Sequence, residues 1–162
     1  MIMDRNTLEV VSGIHEIFRE KGLTLSIAES CTGGLISHYI TALPGASAFF
    51  EAGVVTYSIE SKERILGASH EIISTHGVVS EETARDMAEK VRQLTGTECS
   101  LSTTGNLGPD VLEDKEAGLV YMAASSGAQT LSMEMRFTGD RGKIKENAAL
   151  AALKLLLKVV KG

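Results

Sequence analysis

Apolar positions recur along this chain at two spacings, every three to four residues and every second residue, and the switches between them mark out the elements. Over residues 6–21, Val10, Ile14, Ile17 and Phe18 fall on one helical face. Asn6, with Glu9 three residues later, resembles a capping box, and Gly22 suits the position just past the end. Residues 24–29 read as a short strand, and a second helix over 32–42 stops before Pro44. The segment 49–57 reads as a strand, and the consecutive Val54 and Val55 point to a central one, covered on both faces. A short helix follows over 60–66. The helix over 81–94 has Ser80 as its cap, Glu81 and Glu82 at the positive end of the dipole, and Ala84, Met87, Ala88 and Val91 on one face. Strands are expected over 98–103, 118–125 and 129–137, the last two joined by Ser126-Gly127-Ala128 as a hairpin turn. A long helix over 140–160 turns Ile144, Ala148, Ala151, Leu155 and Val159 to the core.

The resulting order is α-β-α-β-α-α-β-β-β-α. Strands alternating with helices need crossovers, hence a largely parallel sheet with helices on both faces. The hairpin places one antiparallel strand in it. The expected fold is α/β: a three-layer α/β/α sandwich with a mixed, mostly parallel five-stranded sheet, formed by residues 1–162 as a single domain.

Composition narrows the function. A net charge of −5 argues against a general nucleic-acid binder, and aromatic residues at 4% with no Trp argue against base-stacking platforms. The two cysteines, Cys31 and Cys99, can build neither a disulfide framework nor a metal cage alone, which fits a reducing compartment. No 18-residue apolar run occurs, and Asp4, Arg5 and Glu9 stand where a signal peptide would be apolar. A cytoplasmic protein, binding neither membrane nor nucleic acid, is the expectation. No His-Glu-x-x-His or other metal spacing occurs, so no metal and no cofactor is expected.

Four segments can carry chemistry. Ala28-Glu29-Ser30-Cys31-Thr32-Gly33-Gly34 lies between a strand and a helix, at the carboxyl end of a strand, where open α/β sheets bind ligands. Free amides there can stabilise an anion, and Ser30 or Cys31 can serve as nucleophile. From spacing alone, a capped helix start with a tight turn explains the segment equally well. A serine nucleophile needs a base. Of His15, His38, His70 and His76, the first two fall on expected helices with no partner carboxylate at motif spacing, and a surface or core histidine is the plainer reading of each. In the second segment, Tyr57-Ser58-Ile59-Glu60-Ser61-Lys62, a partly buried Lys62 can act as base, with Tyr57 orienting or relaying the proton. A strand tyrosine followed by a solvated lysine is the plain alternative. The third, Ser102 to Asp110, offers the hydroxyls and glycines of Thr104 and Gly105 to a small polar ligand. The fourth, Gly139-Asp140-Arg141, opens the last helix, and Arg141 can grip a phosphate or stand exposed behind a cap.

Taken in order, these segments resemble the CinA C-terminal domain family, the PncC-type nicotinamide-nucleotide amidases. The matching pieces are AESCTGG at 28–34, VVTYS at 54–58 with Lys62, HGVVSEET at 76–83, TGxxGP at 104–109 and FTGDR at 137–141. The resemblance covers nearly the whole chain, and larger family members carry an additional N-terminal domain. It implies hydrolysis of nicotinamide mononucleotide to nicotinate mononucleotide and ammonia, with Ser30 as nucleophile and Tyr57 and Lys62 as its catalytic partners. Cys31, Thr32, Gly33, Gly34, Thr104, Gly105 and Arg141 then contact a small-molecule nucleotide, and the protein is expected to be a homo-oligomer. The chain departs from the family between 105 and 117. A Gly-Gly pair and a Lys-Pro-Val-Gly run are replaced by Asp110-Val111-Leu112 and Lys115-Glu116-Ala117-Gly118, and Asn106 and Leu107 replace small or apolar residues. Branched Val111 resists positive φ, so the backbone must take another path, and Asn106 brings new hydrogen bonding near the substrate. A binding module of the same fold, non-catalytic or altered in specificity, is the alternative reading.

Overall fold

The computed structural model describes residues 3–127 and 129–162; Ala128, in the expected hairpin turn, lies outside the described residues. Helix α1 (Arg5–Lys21) leads to β1 (Leu25–Glu29), α2 (Leu35–Ala42) and β2 (Phe50–Val55). A helical turn α3 (Ile59–Ser61) runs on into a π-helical turn (Lys62–Leu66), then α4 (His70–His76) and α5 (Glu81–Thr95). The chain continues through β3 (Cys99–Gly105), β4 (Leu119–Ser126) and β5 (Gln129–Arg136) to α6 (Arg141–Lys161).

The sheet order is β2-β1-β3-β4-β5. Strand β1 pairs in parallel with β2 and β3, and β4 runs antiparallel to both its neighbours. The expected three-layer sandwich with one antiparallel strand is therefore the observed architecture. Helices α1, α2 and α6 cover one face, α4 and α5 the other. The first face holds the large core, with Phe18, Ile27, Ile36, Leu101, Met122 and Leu153 fully buried. On the second, Ala84 and Ala88 of α5 pack on Ala123 of β4, and Met87 and Val91 pack on Ala28. Small residues bring α5 close to the sheet, where the Ser100 and Ser102 hydroxyls donate to the Ala88 and Ala84 carbonyls.

Several expectations need correcting. Helix α1 is capped by Asp4, whose carboxylate accepts from the Thr7 amide at 2.7 Å, not by Asn6. Helix α2 begins at Leu35 because residues 31–34 make a tight turn with positive φ at Gly33 and Gly34. Strand β2 is an edge strand, and Val55 is exposed. It ends at Val55, so Tyr57 lies beyond the strand and not at its last residue. Helix α4 was not expected, since only Ile73 of its seven residues is buried and no apolar face repeats. Among the described residues, no helix is long and apolar enough to cross a membrane.

Candidate active site

The site forms where β1, β2 and β3 end. Beyond β1, the Ser30 amide donates to the Thr103 carbonyl at 3.1 Å, and the Glu29 carbonyl accepts from the Thr56 amide at 2.9 Å. These bonds extend both parallel ladders by one residue and place Ser30 beside the segment leaving β2. That segment turns at Ser58, which forms a reciprocal capping box with Ser61 and starts α3. The π-helical turn that follows aims Lys62 back beneath Tyr57. Such turns are frequent at functional positions.

Lys62 is 1% exposed, and its Nζ has three oxygen partners: the Thr56 carbonyl at 2.8 Å, the Tyr57 carbonyl at 3.2 Å and Ser30 Oγ at 2.9 Å. No carboxylate bonds to it. Burial opposes its charge and lowers its pKa to about 8. A neutral amine keeps two N–H donors and one lone pair. The two carbonyls can only accept, so they take the two donors, and the lone pair is left facing the Ser30 hydroxyl. The local fold thus supplies both requirements for activating a serine: a base titrating near neutrality and a geometry that aims it.

A cavity of about 280 Å³ opens over this pair. Ser30, Lys62, Ser58 and Thr104 give it polar groups; Tyr57, Ile59, Val78, Val79 and Leu112 give it apolar walls. Gly105 also lines it, and a Cβ there would come within 2.7 Å of the Leu119 carbonyl oxygen across the sheet. The Thr104 hydroxyl donates to the Val78 carbonyl at 2.8 Å, which fixes the loop after α4 against the site. Val78, Val79 and Ile59 are apolar residues in loops or short turns, and periodicity gave no means of placing them here.

The glycine turn plays a different part from the one expected of it. Glu29 is fully buried, and its carboxylate accepts five hydrogen bonds: from the Thr32 hydroxyl at 2.6 Å, the amides of Gly34, Ile36 and Ser37 at 3.1, 3.1 and 2.8 Å, and the Ser37 hydroxyl at 2.9 Å. The start of α2 therefore already holds an anion, its own glutamate. Gly33 donates its amide to the Ser30 carbonyl at 3.0 Å. Among the described residues, this leaves the Thr32 amide of the turn without a protein partner, while the Cys31 amide lies against its own thiol. Positive φ at Gly33 and Gly34, 57° and 101°, lets the chain fold back onto Glu29 at no side-chain cost. Replacing Glu29 by alanine leaves these buried donors unpaired and is expected to destabilise the fold by about 3 kcal/mol, lowering the melting temperature by roughly 10 °C. Circular dichroism melts check this; a loss under about 2 °C would mean the turn holds without it.

Cys31 is buried, and burial pushes its thiol up to about 12, with a Thr103 hydrogen bond acting weakly the other way. A thiol held protonated is a poor nucleophile. Cys31→Ala is expected to keep whatever acyl-transfer activity the Ser30 site has within about tenfold; a larger loss would return the thiol to consideration. The histidines lie elsewhere. His15 Nε2 bonds to the Ile40 carbonyl and the ring packs edge-on against Phe49, His70 and His76 pair with Glu63 and Glu82, and His38 is exposed. Among the described residues, no group of three or more His, Cys, Asp or Glu side chains is placed to hold a metal ion.

Tyr57 is 60% exposed, and its hydroxyl accepts from Arg141 Nη2 at 2.9 Å; its carbonyl bonds to Lys62, but no hydrogen bond joins the hydroxyl to Ser30 or Lys62. Arg141, behind its capping residue Asp140, also donates through Nη1 to the Gly108 carbonyl at 2.7 Å. It ties together the segments after β2 and β3 at the cavity's rim. One turn on, Lys145 Nζ lies 3.3 Å from where a Cβ of Gly33 would stand, a second cation on the same face of α6. Sequence reading missed Lys145, although its i+4 spacing from Arg141 was visible.

A serine–lysine pair at the carboxyl edge of an α/β sheet, beneath a largely apolar cavity, defines the class of site. Residues 7–160 match the sequence model of the CinA C-terminal domain, and the chain belongs to that family. It is 44% identical over 149 residues to a CinA-like protein of Geobacter sulfurreducens, which covers 91% of this chain. The chain spans 36–38% of the length of the curated relatives it matches. Its fold superposes on the competence/damage inducible protein CihA from Agrobacterium tumefaciens with a TM-score of 0.94 at 32% identity, covering 100% of this chain and 99% of that one. Competence damage-inducible protein A (ComA) from Klebsiella pneumoniae gives 0.93 at 32% identity, covering 97% and 98%.

Proposed function

We propose that this chain is an amidohydrolase that converts nicotinamide mononucleotide to nicotinate mononucleotide and ammonia through an acyl ester on Ser30, in pyridine-nucleotide recycling. The observation that carries the reading is the buried Lys62 amine, held 2.9 Å from Ser30 Oγ by two backbone carbonyls. Neutral Lys62 takes the Ser30 proton as Oγ attacks the carboxamide carbon. The backbone amides of the turn that follows Ser30 are the donors we assign to the oxyanion of the tetrahedral intermediate. The lysine, now an ammonium, returns the proton to the departing nitrogen, and ammonia leaves. Water then attacks the ester, again deprotonated by Lys62, and nicotinate mononucleotide is released with Ser30 restored.

The apolar walls suit the pyridine ring, and Arg141, bonded to the hydroxyl of the lining residue Tyr57, is the cation proposed to meet the phosphate. The test pairs ammonia release from nicotinamide mononucleotide with a thermal shift by the same compound. Ammonia together with a shift supports the amidase. A shift without ammonia would make the protein a nucleotide-binding module of the same fold, and neither would remove this nucleotide as its ligand.

A further inference from the structure

The segment after β3 makes two attachments that the catalytic steps above do not use. Asn106 is 3% exposed, and its side chain is spent entirely on its own loop: Oδ1 accepts from the Leu112 amide at 3.0 Å, and Nδ2 donates to the Leu112 and Lys115 carbonyls, both at 3.2 Å. The expectation that Asn106 changes hydrogen bonding to the substrate is thus replaced by a role in holding backbone. Glu113 reaches across to the other side of the cavity. Its carboxylate accepts from the Val78 amide at 2.5 Å and the Val79 amide at 3.3 Å, and Lys115 Nζ, which also donates to the Val79 carbonyl, pairs with it at 2.9 Å. Gly77 has no side chain, and a Cβ there would collide with this carboxylate.

The backbone takes a left-handed course at Glu113 and Asp114, with φ of 59° and 53°. Residues with a side chain adopt that conformation at a cost, which here is offset by the bonds of Glu113. Leu112 stands between the two attachments. Its side chain is 56% exposed, yet it lines the Ser30 cavity with Val78 and Val79, the same pair whose amides hold Glu113.

We propose that Asn106 and Glu113 are positioning residues that hold Leu112 as an apolar wall of the cavity, and that this wall selects acyl groups carried on a flat ring over small acyl groups. The inference rests on Ser30 being the acylated residue, as in the proposed function, but not on nicotinamide mononucleotide being the substrate.

The test uses two activated esters with one leaving group, nitrophenyl nicotinate and nitrophenyl acetate. In each, Ser30 Oγ attacks the ester carbonyl, its proton passes to Lys62, and nitrophenolate departs. Leu112→Ala and Glu113→Ala are each expected to lower the nicotinate-to-acetate ratio of kcat/KM about tenfold. The double variant should fall no further than either single one, because both act through one wall. Glu113→Gln, which keeps an acceptor for the Val78 amide, should restore most of the ratio. An unchanged ratio in Leu112→Ala, equal loss with both esters, or additive losses in the double variant would overturn the proposal. A falling ratio in a protein that releases no ammonia from nicotinamide mononucleotide would uphold the wall and reject the substrate. Failure of both esters to acylate Ser30 would reject the serine–lysine pair and the wall together.

Discussion

Replacing Ser30 by alanine is expected to abolish ammonia release, with a loss of roughly 10⁴-fold or more in kcat, while the fold persists. Ser30 contributes little to packing. Its amide, not its hydroxyl, extends the sheet to Thr103, and its Oγ has one bond, from Lys62. Alanine keeps the backbone and removes only the attacking atom. Residual turnover would then come from bound water attacking a polarised carboxamide, far slower than attack by a positioned alkoxide. Steady-state ammonia assays on both proteins, with melting curves to show an intact fold, give the comparison. Activity within about tenfold of the wild type would remove Ser30 from the nucleophile's place.

Lys62→Met is expected to lower kcat/KM by about 10²–10⁴ and to erase the ascending, acid-side limb of the pH profile. In the wild type that limb should rise tenfold per pH unit and level off near pH 8, where Lys62 becomes the neutral amine. The same group marks stability. Below about pH 8 both the folded and the unfolded lysine are charged, and the fold bears the full cost of a buried charge, on the order of 3 kcal/mol. Between about 8 and the ordinary lysine value of 10.5 the unfolded chain binds the extra proton. Wild-type stability therefore rises relative to Lys62→Met across that window, and the gap is constant above it. Chemical denaturation of both proteins from pH 7 to 10.5 measures this. A flat difference together with an unchanged rate profile would leave Lys62 a structural residue.

Much of this was legible in the residues. Ser80 with Glu81 and Glu82 announced α5, because a cap, a dipole-matched first turn and a four-residue apolar stripe all agreed. The order of strands and helices was enough for the three layers, since parallel neighbours leave few ways to cross over. Ser30 and Lys62 were singled out by the family resemblance and by the want of a usable histidine, and the fold brings them within 2.9 Å; the Tyr57 hydroxyl, named with them, bonds to Arg141 instead.

What stayed hidden depended on distance in the fold. Asn6 and Asp4 were both able to cap α1, and only the coordinates show that the helix starts one residue before Asn6. Val54 and Val55 looked central, but in β2 burial alternates, and Val55 stands exposed at the sheet's edge. Glu29 looked like one more polar residue in a catalytic motif. Its work, closing the turn by accepting the amides of Gly34, Ile36 and Ser37, appears only once the glycines fold the chain back. Asn106 looked like a loss from a family pattern and Glu113 like one more charge in an acidic loop, and their partners at 112, 78 and 79 are set by tertiary structure.

The most direct measurement is acid quenching during turnover of nicotinamide mononucleotide, followed by peptide mass analysis. An ester-linked nicotinate mononucleotide acyl group should be found on the peptide bearing Ser30, at that residue and not at Cys31, and it should be absent from Ser30→Ala. Ammonia release with no acyl group on Ser30, or with the acyl group on Cys31, would contradict nucleophilic attack by a lysine-activated serine.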